Sequence, residues 1–202
     1  LWSHGAKAVD AQGNIVINSK ETAAAIEMAK RLFKFMPPEV LAWDEASNNR
    51  ALMGGTCSWS INPPSIWAIA KRDKLPVADK LDHVAIPAGP AGRFRTASCY
   101  SVGIWNFSPN IDLAKDLLRY LMQKENFLKQ VDASGGYNQP FLPGHRGAPI
   151  YQRERALRHY EPPKESVLAW GWPAPASAAT GISITLFILP IMFAKAVSGE
   201  LT

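Results

Sequence analysis

The 202-residue sequence predicts an α/β fold in which long helices alternate with short strands. Apolar residues recur at three- and four-residue spacing over several long stretches, which is typical of helices with one buried face. Short runs of β-branched and aromatic residues lie between these stretches and indicate strands. Clusters of glycine and proline separate the segments, and the clearest of them is the loop PAGPAG at residues 87–92.

The helices are predicted from their start and stop signals. Ser19 is a favourable N-cap for the first helix, and Pro37–Pro38 ends it. Asn110 caps another helix, whose core face carries apolar residues at helical spacing up to Leu121. The same reasoning predicts further helices over residues 45–53, 63–71, 124–133, 148–172 and 176–197.

Four short segments are predicted to be extended. A turn around Gly13–Asn14 leads into a strand at residues 15–17, and Thr56–Ile61 is predicted to be a strand or an extended loop. A brief strand is expected at residues 83–86, and a longer one with mixed alternation at residues 97–107.

The most apolar stretch, Ile182–Val197, raises the question of a membrane span. It is shorter than the ~18–20 residues that a span needs, and Pro190 interrupts it before Lys195. The sequence therefore favours a buried helix that bends at Pro190. This hypothesis requires four large apolar side chains to be largely covered: Ile184, Phe187, Ile188 and Ile191.

The composition favours an ordinary globular protein. The hydrophobic fraction of 47% and the charged fraction of 19% allow a sizeable core and argue against disorder. The net charge of +5 comes from scattered lysines and arginines. The densest basic segment, residues 145–159, also contains Glu154, which favours a solvated helix face over a nucleic-acid-binding stripe. We therefore expect no nucleic-acid partner.

The sequence contains no recognisable catalytic motif. It lacks the glycine-rich phosphate loops, the nucleophile elbow and the paired-histidine motifs of common enzymes, and its four histidines are dispersed. Asp44 and Glu45 are adjacent carboxylates, but they lie at a predicted helix start, where acidic residues are electrostatically favourable. We therefore expect a binding protein that is not an enzyme and that uses no cofactor and no metal.

The two cysteines, Cys57 and Cys99, are too few for a disulfide framework and lack metal-ligand spacing. Whether they pair cannot be read from the sequence. Two small buried apolar side chains are the favoured interpretation.

Two stretches combine glycine, hydroxyl side chains and an aromatic ring. In MGGTCSW at residues 53–59, Trp59 offers a flat apolar face, and its neighbours offer polar groups, namely the Gly55 backbone, Thr56 and Ser58. Sugars bind in this way, because their C–H face stacks on a ring while their hydroxyls form hydrogen bonds. The second stretch, CYSVG at residues 99–103, offers Tyr100 and Ser101. Ordinary strand-and-turn packing is an equal alternative for either stretch.

Six segments follow one another in a recognisable order. They are DAQGNIVINS (10–19), NRALMGGTCSW (49–59), VAIPAGPAG (84–92), CYSVGIWNFSPNIDLAKDLLRY (99–120), GGYNQP (135–140) and AKAVSG (194–199). No single segment is specific, whereas their order and spacing are. Together they resemble the family 1 extracellular solute-binding proteins of ABC importers, the group that contains maltose-binding protein.

The sequence departs from this family at a few positions. Tyr100 stands where the family often has Trp, and Arg50 and Leu52 replace small residues. These differences concern the ligand that is bound rather than the fold. Residues 184–192 are more apolar than this helix usually is, and the opening strands of the first lobe have no counterpart.

The resemblance implies a periplasmic-binding-protein-like fold of class II, with two α/β lobes, hinge-crossing strands and a cleft that closes on its ligand. This chain would be the carboxy-terminal part of such a two-lobe protein. Residues 1–96 would belong to the second lobe. Residues 97–142 would contain a crossing strand and helices that pack on the first lobe, and residues 143–202 would return and end in the final helix.

The resemblance also implies capture of a sugar, polyol or similar small solute and its delivery to ABC permease subunits. A periplasmic or lipid-anchored extracellular location would follow. Trp67 and Trp105 are assigned to the core. The predicted ligand-binding residues are Gly55, Thr56, Ser58, Trp59, Tyr100, Ser101, Tyr137, Asn138 and Trp172.

Two other functions stay open, namely a carbohydrate-active enzyme fragment and an interaction module held at a membrane through Ile182–Val197. The enzyme would need two carboxylates that face a cleft. The missing amino-terminal portion of the protein is expected to cover the strand at residues 97–103 and the helix Leu113–Leu121. Without it, we expect uncovered apolar residues and association of the chain.

Overall fold

The computed structural model describes residues 1–96, 101–140, 142–159 and 167–200. These residues belong to two compact units. Unit 1 holds the described residues of Leu1–Glu45, Ile86–Ala97 and Glu165–Thr202, and unit 2 holds those of Ala46–Ala85 and Ser98–Lys164. The lobe boundaries implied by the resemblance concern a longer protein and stay a prediction.

The part of the chain that the structure describes is mainly helical. Its helices are α1 (Lys20–Phe33), α2 (Ser47–Met53), α3 (Ser65–Arg72), α4 (Ile111–Leu121), α5 (Lys124–Ala133), α6 (Ile150–Arg153), α7 (Ala178–Thr185) and α8 (Ile188–Ser198). Two short strands, β1 (Arg95–Thr96) and β2 (Val167–Leu168), pair in parallel, with Arg95 opposite Val167. Short 3₁₀ turns lie at Trp2–His4, Pro38–Ala42, Pro76–Lys80, Pro143–His145 and Arg155–Leu157.

Unit 1 is organised around helix α1. The helix begins where the sequence predicts, because the Ser19 hydroxyl accepts a hydrogen bond from the Thr22 N–H at 3.1 Å. Thr22 and Ala25 form its buried face, and α8 packs against it with Ala196 buried. The predicted strand at residues 15–17 is reduced to a single bridge between Val9 and Ile15.

Unit 2 contains the largest apolar core of the described residues. Helices α3 and α5 meet the segment from Ala148 to Leu157 there. Its buried side chains are Trp67, Val131, Ala148, Ile150, Tyr151, Ala156 and Leu157. The Tyr151 hydroxyl is buried with them and donates a hydrogen bond to the Gly136 carbonyl at 2.9 Å, so this buried hydroxyl has a hydrogen-bond partner.

Ion pairs surround this core at the surface. Arg155 pairs with Asp82 at 2.6 Å, Arg153 pairs with Asp132 at 2.7 Å, and Lys71 pairs with Glu154. Each pair has at least one side chain that is about half exposed, so water screens it and apolar burial contributes more to stability.

Several predicted elements are wrong. No strand forms at residues 83–86 or in the described part of residues 97–107. Val84 and Val102 are about three-quarters exposed there, and neither pairs with a strand among the described residues. Residues 97–100 lie outside the described part of the chain. Thr56–Ile61 is an extended loop rather than a strand.

The predicted helix at residues 148–172 is also wrong. Only α6 and the turn Arg155–Leu157 form among its described residues, and extended backbone at Glu154 separates them. A straight helix at about 3.6 residues per turn would spread its core side chains around all sides of its axis. The break at Glu154 lets four of them face one core: Ile150, Tyr151, Ala156 and Leu157.

The final apolar stretch forms two helices where one bent helix was predicted. The break comes at Phe187, whose φ is 52°, and it places Pro190 in the first turn of α8. Proline has no backbone N–H, and this costs little in the first turn, where N–H groups have no partner within the helix. Among the described residues, no single helix is long and apolar enough to cross a membrane, and α7 and α8 reach that length only when joined across their 42° bend.

The prediction that this stretch is covered is wrong for the described chain. Phe187 is 55% exposed, and the other three side chains are 39–50% exposed, namely Ile184, Ile188 and Ile191. Apolar residues predominate around both helices, and α1 covers only part of α8. The remaining apolar surface is therefore exposed to solvent.

Helix α4 has the uncovered apolar face that the sequence predicts. Leu113 is 69% exposed and Leu117 is 56% exposed. Trp67 lies in the core as predicted, at 4% exposure, whereas the prediction for Trp105 is wrong. Trp105 is 73% exposed and stacks on Phe107, with 5.3 Å between the ring centroids.

Candidate functional site

The loop after helix α2 folds back on the end of that helix. The Gly55 N–H donates to the Leu52 carbonyl at 3.2 Å, and the Thr56 N–H donates to the Ala51 carbonyl at 3.0 Å. The Thr56 hydroxyl also donates to Ala51, at 3.1 Å. Gly55 has a φ of 76°, a left-handed conformation that favours glycine at the end of a helix.

These bonds change the roles predicted for Gly55 and Thr56. Their donors satisfy carbonyls at the end of α2, which would otherwise lack partners. Ser58 and Trp59, which is 55% exposed, are also open to solvent and have no part in closing the helix. The Thr56 oxygen keeps its capacity to accept.

A side-chain amide in helix α2 holds the chain immediately after Trp59. The Asn48 amide group donates to the Ser60 hydroxyl at 3.1 Å and to the Asn62 side-chain oxygen at 3.2 Å. The Asn62 amide in turn donates to the Ser65 hydroxyl at 2.8 Å, at the start of α3. Trp59 therefore lies between a closed helix end and a hydrogen-bonded segment, so the main chain on both sides of it is held in place.

The second predicted aromatic, Tyr137, follows a tight turn at the end of α5. A Cβ on Gly135 would lie 2.8 Å from the Ala68 Cβ in helix α3. A Cβ on Gly136 would lie 2.8 Å from a Leu157 methyl. The two glycines thus let the turn pack directly on the unit 2 core. The Asn138 N–H donates to the Ser134 hydroxyl at 3.0 Å, which fixes the chain beyond Tyr137.

Trp172 belongs to unit 1, whereas the other described residues of the predicted site belong to unit 2. It is 38% exposed and lines an open concavity of about 270 Å³ together with Trp2, Gly5, Ala6, Lys7, Ala91 and Phe94. The Lys7 ammonium lies 5.1 Å from the centre of its ring. A second concavity, of about 310 Å³ in unit 2, is lined by Gly147, Ala148, Tyr151, Gln152 and Arg158, none of which was predicted.

Tyr100 and Cys99 lie outside the described residues, so their predicted roles and the pairing of the cysteines stay untested. Ser101 is described, belongs to unit 2 and is exposed. The Cys57 side chain is partly buried and lies next to Ser58. The described residues thus include eight of the nine predicted site residues, seven of them in unit 2.

The ionisable groups of the described chain form no cluster suited to a metal ion, whether from histidine, cysteine or carboxylate side chains. The pKa shifts resolved for exposed side chains have local causes. A hydrogen bond from the Asn14 side chain holds the pKa of Asp10 below its usual value of 3.8, and one from Arg72 lowers the pKa of Asp73. These shifts reflect turn and ion-pair geometry.

Sequence reasoning missed several residues at these sites. Asn48 and Asn62 flank the Trp59 loop on both sides, and this pairing of amides around a glycine-rich turn was a visible signal. Trp2, Lys7 and Phe94 had no comparable signal, because they come from separate segments that only the fold brings together.

Comparison with known proteins gives the family of the chain. The sequence pattern of the bacterial extracellular solute-binding proteins matches residues 1–158. The chain belongs to this family, which confirms the resemblance found in the sequence. The family is defined by solute binding and is not a class of enzymes.

Two similar proteins agree with this assignment. Over 119 residues the chain is 28% identical to a probable ABC transporter-binding protein of Deinococcus radiodurans, a match that covers 58% of this chain and 28% of that protein. The maltose-bound structure of T. maritima MalE3 superposes with a TM-score of 0.71 at 21% identity, which shows a shared fold. That match covers 100% of this chain and 51% of MalE3, so the chain spans about half of that structure.

Proposed function

We propose that this chain is part of the substrate-binding component of an ABC importer, and that the complete protein captures a sugar, polyol or similar small solute and delivers it to permease subunits. A periplasmic or lipid-anchored extracellular location fits the family, whose members are extracellular. The observation that carries the proposal is the exposed Trp59 ring on a loop held by hydrogen bonds at both ends.

The held position of Trp59 favours binding over simple packing. A core tryptophan such as Trp67 is 4% exposed, whereas Trp59 leaves 55% of its surface in solvent. Hydrogen bonds already hold the main chain on both sides of Trp59, so stacking of a ligand on its exposed ring requires little ordering of the loop. Sugars present a flat C–H face to such rings. The maltose in the MalE3 structure supports a sugar as the solute class.

The remaining contacts of the proposed site come from neighbouring loops. Ser58 and the Thr56 oxygen would bond ligand hydroxyls beside Trp59, and Tyr100 with Ser101 would supply a second ring and hydroxyl. Tyr137 and Asn138 would form the far rim, on a turn that glycines hold against the core. Because the Gly55 N–H is bonded within the helix end, its carbonyl is the backbone group that would bond the ligand. Trp172 in unit 1 is a further candidate for ligand contact.

The uncovered apolar faces support a larger protein with two lobes of class II, joined by hinge-crossing strands. Helix α4 presents Leu113 and Leu117 to solvent, and the α7–α8 corner presents Phe187. We propose that the amino-terminal portion of the protein covers these faces. The division into residues 1–96, 97–142 and 143–202 would then describe a second-lobe segment, a crossing segment and a return segment.

The test is solute affinity of the full-length protein with Trp59→Ala. Calorimetric titration against a panel of neutral sugars and polyols should show a loss of about 1–3 kcal/mol for the best ligand, the range for an aromatic anchor. The melting temperature without ligand should barely change, because the ring is mostly exposed. Trp105→Ala is the matched control, since Trp105 is exposed outside the proposed site and should leave affinity unchanged.

A collapse in stability with unchanged affinity per folded molecule would show that Trp59 serves packing. Turnover of any sugar in the panel would instead favour a carbohydrate-active enzyme.

A further inference from the structure

The concavity in unit 1 brings together three chain segments that are far apart in sequence. The first segment supplies Trp2 and Lys7, the second supplies Phe94, and the third supplies Trp172. Three aromatic rings from three segments form most of its walls, and the other lining residues are small: Gly5, Ala6 and Ala91. Lys7 contributes the one charged group of this lining.

Backbone contacts fix the wall that carries Phe94. The Ala91 N–H donates to the Ser3 carbonyl at 2.9 Å, which ties the PAGPAG loop to the first segment. Gly89 packs against the same residue so closely that a Cβ there would collide with the Ser3 carbonyl oxygen. Gly92 has a φ of 123° and leaves room for the Phe94 ring, which would lie 3.4 Å from a Cβ at that position. The concavity is therefore preformed rather than the gap beside a free loop.

The ammonium group of Lys7 is held over this aromatic surface without an acidic partner among the described residues. Its nitrogen lies 5.1 Å from the centre of the Trp172 ring, within the range of a cation–π contact. The acidic side chain of Glu21 lies beside Gly5, and its carboxylate is 3.9 Å from the Lys20 ammonium rather than paired with Lys7. The positive charge of Lys7 is thus available to a ligand anion.

We propose that this concavity binds the acidic group and ring of a sugar acid, such as a uronate. The ring stacks on the aromatic walls, and the carboxylate accepts hydrogen bonds from the Lys7 ammonium. A volume of about 270 Å³ lies just below the ~300 Å³ at which pockets for larger ligands begin, so the site takes one sugar ring. The proposal rests on the proposed function for the sugar class and adds the acidic group.

The experiment compares sugars that differ only in the acid. Glucuronate and galacturonate are titrated calorimetrically into the full-length protein in parallel with glucose and galactose. Lys7→Met, which keeps most of the side-chain length and removes the charge, should weaken uronate binding by at least about tenfold, the size of one charge-assisted hydrogen bond. Lys7→Arg should retain most of the affinity, and neutral sugars should bind Lys7→Met and the wild type equally.

Two controls separate this site from the Trp59 loop. Lys34→Met removes another exposed lysine of unit 1, one with no contact to the lining, and should leave uronate binding unchanged. Trp59→Ala should weaken neutral sugars and leave uronate affinity intact.

The proposal is overturned if the wild type binds neither uronate, or if Lys7→Met binds both as tightly as the wild type. It is also overturned if Trp59→Ala abolishes uronate binding. A neutral sugar that binds through Trp59 in these cases would leave the proposed function standing.

Discussion

Gly136→Ala tests how the Tyr137 turn is held, because the mutation adds one methyl group at the edge of the unit 2 core. The backbone there has a φ of 77°, and an alanine in this left-handed region costs roughly 1–2 kcal/mol. The new Cβ would lie 2.8 Å from a Leu157 methyl and 3.2 Å from the Tyr151 ring. Overpacking of this kind costs about 1–3 kcal/mol, since Leu157 is fully buried and cannot move aside freely.

A smaller entropy loss on folding offsets about 0.4–1 kcal/mol of this destabilisation, because alanine has fewer conformations than glycine in the unfolded chain. The net expectation is a destabilisation of about 2–4 kcal/mol, measured by urea unfolding with far-UV circular dichroism.

Two other glycines serve as matched controls. Gly55 has nearly the same φ, 76°, but a Cβ there would meet no atom within 4 Å, so Gly55→Ala should cost only about 1 kcal/mol. Gly144 has neither a positive φ nor a close neighbour, and Gly144→Ala should be neutral or slightly stabilising. If Gly136→Ala costs no more than Gly55→Ala, the turn does not pack on Leu157 and the proposed rim at Tyr137 loses its support.

Two further predictions concern Asn48 and Asp10. Asn48→Asp keeps the shape of the side chain but removes both donated hydrogen bonds, so we expect a loss of about 1–3 kcal/mol in urea unfolding and weaker binding of the proposed solute. Wild-type behaviour in both assays would contradict the idea that Asn48 holds the chain after Trp59. Asp10 has a folded-state pKa below its usual 3.8, so its bonds to Asn14 stabilise the fold above that pH and lose their effect as pH falls through the folded pKa. The melting temperature of the wild type should therefore exceed that of Asp10→Ala at pH 7, and the gap should close in acid; an equal gap at pH 7 and pH 2 would refute this.

Local signals in the sequence predicted several of the helices well. Ser19 caps α1 as expected, and α5 spans the predicted residues 124–133, because capping and apolar spacing act within a few residues. Strand pairing was not predictable in the same way. β1 pairs with β2 across a long stretch of chain, and nothing in either short segment indicates its partner.

The same difference between local and long-range signals applies to the candidate site. Trp59 was predicted as an exposed ring because glycine and hydroxyl residues surround it within a few positions, and the structure shows it exposed. The use of the Gly55 N–H to close α2 was not foreseen, since it depends on where the helix ends. The unit 1 concavity depends on long-range folding, so only Trp172 among its residues was identified from the sequence.

The closure of helix α2 also affects how this loop can change during evolution. The main-chain donors at Gly55 and Thr56 already satisfy the helix end, so selectivity in the loop depends on the side chains that follow. If the proposed site binds the solute, substitutions at Ser58 and Trp59 would alter the preferred solute while the turn that presents them stays intact. The proposal thus marks residues 58 and 59 as the first positions for redesigning specificity.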